Sequence, residues 1–152
     1  MVASAALVTA AVAGCSGEGH DGGPGIQVPA AYVQVPSSAG ATTVGYLDIR
    51  NNGAADRLMS VSTSVGGHVE LRAPLRPGVT PIVMHTVTSI PIAANATTQL
   101  IPNGYHLLIS GEGPMHDGKD ITLTLRFAHG GAVTILALVT NPQNGGSSYF
   151  LN

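Results

Sequence analysis

"ITLTLRFAHGGAVTILALV" (residues 121–139) decides the fold. Ile121, Leu123, Leu125 and Phe127 alternate with Thr122, Thr124 and Arg126. That period of two puts apolar side chains on one face of a strand and polar ones on the other. "AHGG" (128–131) follows as a hairpin turn, and "AVTILALV" (132–139) returns as a second strand, apolar on both faces. A half-buried strand turned back onto a fully apolar one predicts an antiparallel sheet.

The same punctuation recurs upstream. Short β-type runs lie at 31–35, 42–50, 56–64, 68–72, 79–90, 96–101 and 105–110, separated by "NNG", "GG", "PNG" and other turn signals. About nine closely spaced strands with almost no helical periodicity predict an all-β antiparallel sandwich. Twenty Gly and ten Pro in 152 residues, with only 4% aromatics, fit a turn-rich β chain. Met59 reads as a core residue, and His129, in the hairpin turn, as solvent-exposed.

Charge narrows the function. Charged residues make up 9% of the chain, against about a quarter in ordinary proteins. With a net charge of −2 and one lysine there is no basic stripe to neutralise phosphates, so a nucleic-acid partner is not expected. Catalytic signatures are missing as well. There is no "HExxH", no nucleophile elbow, no phosphate-cradling glycine loop and no evident carboxylate pair. The chain is not expected to be an enzyme.

Cys15 is the single cysteine. It excludes an intrachain disulfide and a multi-thiolate zinc site. It follows the alanine-rich apolar run "VASAALVTAAVA" (2–13), which has the length of a signal-peptide core and is short for a membrane span of roughly twenty residues. "VAGC" (12–15) resembles the lipobox of bacterial lipoproteins, in which the signal is removed and the cysteine carries the lipid. No Lys or Arg precedes the run, so the true start lies upstream or the signal is unusual. Residues 1–15 are therefore expected to be a lipoprotein signal ending at Cys15. Residues 16–28 read as a Gly-rich tether, 29–140 as the folded domain and 141–152 as a loose polar tail. His20 and Asp21 fall in the tether and read as solvated.

Between residues 31 and 139 the order of segments resembles a known family. "GYLDIRNNGAADRLMSVSTSVGGHVELR", a Met-bearing strand, "IPIAANATTQLIPNGYHLLISG" and "GKDITLTLRF" are similar to the PCu(A)C copper chaperones. The resemblance implies a cupredoxin-like Greek-key sandwich outside the cytoplasm. It also implies Cu(I) as cargo and cytochrome c oxidase assembly as the destination.

The family's copper motif runs His, ten residues, Met, twenty-one residues, His, one residue, Met. Thioether and imidazole ligands suit soft Cu(I) and leave it exchangeable. Met84 and His106 have the central spacing. Counting back ten residues from Met84 lands on Ala73, whereas by local context the first ligand, which follows "VEL", is replaced by Arg72; neither can serve, and the last ligand position is Leu108. Arginine has no lone pair to offer a metal. His68 shares a strand face with Glu70 and Arg72 but sits four residues away, roughly 13 Å along an extended strand. His85 adjoins Met84 and would face the other side of a regular strand. Met115 and His116 lie in the loop after the His106 strand, at its far end.

The expected metal set is Met84 and His106, completed by His85 or His68. The expected function is a lipid-anchored Cu(I) carrier on the outer face of the cell membrane. The alternative is a metal-free relative that keeps the sandwich for protein contacts in the cell envelope.

Overall fold

The computed structural model describes residues 25–141. Ten strands form, and no helix occurs among the described residues. In chain order they are β1 (Ile26–Gln34), β2 (Thr43–Asn51), β3 (Asp56–Thr63), β4 (His68–Pro74) and β5 (Met84–Val87), then β6 (Ile90–Ile92), β7 (Ala96–Leu100), β8 (His106–Ser110), β9 (Asp120–Phe127) and β10 (Ala132–Thr140). They hydrogen-bond in the order β5-β4-β8-β2-β1-β10-β9-β3-β6, with β7 paired to β2 alongside β8. β3 and β4 pack together across the fold, closing the sheet around one core.

The opening hairpin forms as its pattern dictates. Ile121, Leu123, Leu125 and Phe127 are buried, and Val133 of β10 pairs with Leu125 of β9. Leu47, Ile49, Leu107, Ile109 and Val139 fill the same interior at zero exposure. Pairing is antiparallel throughout except between β1 and β10, which run parallel. The fold is the expected all-β cupredoxin-like sandwich. Its first strand begins at Ile26, three residues before the expected boundary at 29.

Two sequence expectations are corrected. Met59 is 44% exposed, because its neighbour Leu58 takes the inward direction and alternation sends Met59 out. A register irregularity between Leu58 and Ser60 then lets Val61 turn inward. The apolar run 79–90 is not one strand. Residues 75–83 form an exposed loop, closed at its base by Leu75 N–H donating to the Val83 carbonyl at 2.7 Å. Strand structure begins only at Met84. In "RPGVTP" (76–81) the two prolines remove ladder donors, and Gly78, at φ +76°, favours the turn.

Asp56 secures the turn of the opening hairpin. Its carboxylate accepts backbone N–H bonds from Arg57 (2.7 Å), His129 (3.0 Å) and Gly130 (2.7 Å), and a further contact from His129 Nδ1 at 3.2 Å. Burial alone would raise the Asp56 pKa. The donors from Arg57, Gly130 and His129 outweigh it and hold the group below the usual carboxylate value.

Candidate metal centre

β5, β4 and β8 lie side by side, and their register places the expected ligands. Arg72 of β4 is directly opposite His106 of β8 and, on its other side, opposite Thr86 of β5. Glu70 is opposite Leu108, and Pro74 opposite Met84. Leu71, Ala73, Leu107 and Ile109 are buried, so alternation puts Glu70, Arg72, His106 and Leu108 together on the outward face. On β5, Met84 shares that face with Thr86. Met84 and His106 thus lie on the two strands that flank β4, two strand spacings apart laterally (about 9.5 Å) and offset by two residues along the strands, because Met84 is level with Pro74 and His106 with Arg72. Leu108 joins them where the family motif has its second thioether.

Arg72 holds the centre with a polar network. Its Nη1 donates to Glu70 Oε2 at 3.2 Å and to Thr86 Oγ1 at 2.8 Å, and its Nη2 donates to the Met84 carbonyl at 3.2 Å. Thr86 Oγ1 in turn donates to Glu70 Oε2 at 2.7 Å. The Thr86 hydroxyl is the main influence holding the Glu70 pKa below its ordinary value. Desolvation opposes it, and the Arg72 guanidinium and His68 add to the lowering. The guanidinium is 23% exposed, so the ion pair is neither fully solvated nor sealed from water.

His106 remains equipped to bind. Its Nδ1 lies 3.1 Å from the Gly104 carbonyl oxygen. A carbonyl only accepts, so Nδ1 carries the proton and the neutral ring keeps its lone pair on Nε2. Such a hydrogen bond on the other ring nitrogen orients metal-binding histidines in general. The Tyr46 ring sits 6.3 Å away, tilted, and supports the imidazole from the neighbouring strand. Met84 supplies the soft thioether at the start of β5.

The other candidates are placed elsewhere. His85 pairs with buried Ala73 and faces the interior side of β5, where its Nδ1 is buried without a partner. His68 pairs with Ser110 at the far end of β4, two rungs beyond Leu108 in the direction away from Arg72. The loop after β8 also lies at that far end: Gly113 N–H bonds the Val65 carbonyl, Met115 is buried in the core and His116 is exposed. Cys15 lies outside the described residues. Among the described residues no three His, Cys, Asp or Glu side chains converge as a metal cage. What the geometry does place on one outward face is Met84 and His106, on either side of the strand that carries Arg72.

Sequence reading identified Arg72 as a departure but not the network that accommodates it. Glu70 was within reach of that reasoning, since it lies two residues before Arg72 on one strand face. Thr86 was not, because its approach depends on the β4–β5 pairing.

Comparison with known proteins bears on the fold that carries these residues. The model of the family described as "Putative lipoprotein LpqE-like" matches residues 26–139. "Putative lipoprotein Lxx21020" of Leifsonia xyli subsp. xyli is 24% identical over 127 residues, covering 82% of this chain and 75% of that protein. Among solved structures, the copper-bound PCuAC domain from PmoF2 superposes with a TM-score of 0.63 at 20% identity, covering 77% of this chain and 93% of the other. The Cu(I) form of DR1885 from Deinococcus radiodurans gives a TM-score of 0.62 at 23% identity, covering 79% and 80%. The resemblance to PCu(A)C domains therefore extends to the whole described fold.

Proposed function

This chain belongs to the LpqE-like family, and on that premise we propose that it is an exported, lipid-anchored carrier of Cu(I). Cys15 carries the anchor, and Met84 and His106 hold the ion. The observation that carries the proposal is the placement of His106 on the same outward face as Met84, with Nδ1 3.1 Å from the Gly104 carbonyl so that Nε2 is the nitrogen left to offer a metal. An imidazole and a thioether suit Cu(I) and do not suit hard cations. Two donors hold the ion more loosely than four, and the guanidinium between them opposes a cation except as Glu70 offsets it. The result is a weak, readily surrendered load, suited to delivery at the outer face of the cell membrane. A cuproenzyme under assembly, cytochrome c oxidase in the family pattern, is the proposed recipient.

One observation favours a second reading. The Glu70–Arg72–Thr86 network fills the ground between the two donors, as expected of a relative that has given up metal and kept the sandwich for protein contacts. Titration with Cu(I) against a chromogenic chelator separates the two. Stoichiometric binding that is lost in Met84→Ala and His106→Ala supports the carrier. No binding by the wild-type chain supports the metal-free relative.

A further inference from the structure

The loop between β4 and β5 is the most apolar exposed feature of the described residues. All of residues 75–83 are exposed, including Leu75 at 56%, Val79 at 47%, Ile82 at 43% and Val83 at 55%. Leu75, Val79, Pro81 and Val83 line a shallow groove together with Arg76. Large apolar side chains clustered on one exposed loop mark a contact surface rather than ordinary surface scatter. The segment contains no acidic residue, and Arg76 is its single charge.

Strand directions say what this loop faces. β1 runs antiparallel to β2, β2 to β8, and β8 to β4. The start of β1 and the end of β4 therefore lie at the same end of the sheet, and the β4–β5 loop projects from the end at which the chain enters the domain. Nine residues separate Cys15 from Gly25, a span of at most about 35 Å. A lipid on Cys15 would thus hold this end of the sandwich within reach of the bilayer.

We propose that residues 75–83 are a membrane-contacting loop, seating Leu75, Val79, Ile82 and Val83 in the lipid interface with Arg76 at the anionic headgroups. This rests on the lipid-anchor reading of Cys15. A basic, apolar, acid-free element is the composition that binds an anionic interface, and a second membrane contact adds to what acyl chains supply. The contact fixes the orientation of the domain and sets Met84, the residue after the loop, beside the bilayer surface.

The test uses the full lipidated chain carrying Val79→Cys, labelled at that thiol with an environment-sensitive fluorophore. The chain is bound to vesicles of phosphatidylethanolamine and phosphatidylglycerol containing an acyl-chain quencher. Ser38→Cys, in the β1–β2 turn at the opposite end of the sheet, is the control. A blue shift and quenching at position 79, absent at position 38 and abolished by Ile82→Asp with Val83→Asp, is the expected result. Chains that float with the vesicles while position 79 stays as water-exposed as position 38 overturn the loop and leave the anchor standing. A shift that persists in Cys15→Ser supports the loop as a membrane contact in its own right. Chains that neither float nor shift remove both. A shift in native membranes but not in protein-free vesicles overturns the proposal in favour of a protein partner.

Discussion

Arg72 of β4 stands directly opposite His106 of β8, at the place after "VEL" where the PCu(A)C motif has its first histidine. Its guanidinium is tied to Glu70 and Thr86 rather than pointed freely at the imidazole. If that residue sets the affinity, reversing it should strengthen binding. Arg72→His with Leu108→Met supplies two further donors on the same face and removes the positive charge. The double variant is expected to hold Cu(I) at least about tenfold more tightly, roughly 1.4 kcal/mol. Competition with a chromogenic chelator measures it, and unchanged affinity would place the metal elsewhere.

His85 provides the complementary test. It lies next to Met84 in sequence but faces inward, with Nδ1 buried and unpartnered. His85→Phe should leave Cu(I) affinity unchanged. Removing an unsatisfied buried polar atom should also raise stability, by about 1 kcal/mol. Denaturant unfolding and metal titration on one preparation check both halves. A loss of copper binding would bring His85 into the site.

Glu112 follows the same logic in a place without functional competition. It is 4% exposed, and neither carboxylate oxygen has a partner. Glu112→Met is expected to stabilise the fold by about 1–3 kcal/mol, the usual cost of a buried unsatisfied polar group. A lower denaturation midpoint in the variant would reveal a bonding role that the geometry does not contain.

Asp56 should dominate the acid limb of stability. Its pKa is depressed in the folded chain, so its contribution is complete above the unfolded aspartate value of about 3.9 and is lost as pH falls through the lower folded value. Asp56→Ala leaves the backbone donors of Arg57, His129 and Gly130 without their acceptor and is expected to cost about 2 kcal/mol at neutral pH. The variant should also lose less stability than the wild type on acidification. His129→Ala should cost under about 1 kcal/mol, since that ring is largely exposed. Urea unfolding across a pH series resolves all three effects.

Gly67 ties β4 to the end of β8. Its φ is +82°, and an added Cβ would come within 2.6 Å of the Ser110 carbonyl oxygen, a backbone atom that cannot swing away. Gly67→Ala is expected to destabilise by more than about 1 kcal/mol, combining left-handed strain with the clash. Gly40→Ala, whose φ is +75° and whose added Cβ meets nothing, should cost only the strain. Thermal unfolding of the pair separates the two contributions.

Local pattern was enough for the fold class. The alternation at 121–127 and the turn at 128–131 are properties of adjacent residues, and the structure keeps them as β9, β10 and their hairpin. The order of segments carried the PCu(A)C resemblance, and the loss of two family ligands at Arg72 and Leu108 was visible beside "VEL" and "YHLL". The run at 79–90 misled because β-branched composition alone does not form a strand where Pro77 and Pro81 lack ladder donors and Gly78 turns at φ +76°.

The chain order alone determined which residue types were available: one soft thioether and one imidazole at the right separation, and an arginine where a ligand would stand. Tertiary structure decided what they do. Thr86 reaches Arg72 from fourteen residues away, and Gly104 settles which nitrogen of His106 is free. The β4–β5 register turns His85 inward, and three successive strand pairings determine which loops share an end with the start of β1. These are cross-strand relations between residues distant in the chain. A strand's period of two fixes only which face a side chain takes, whereas its neighbours are chosen by pairing.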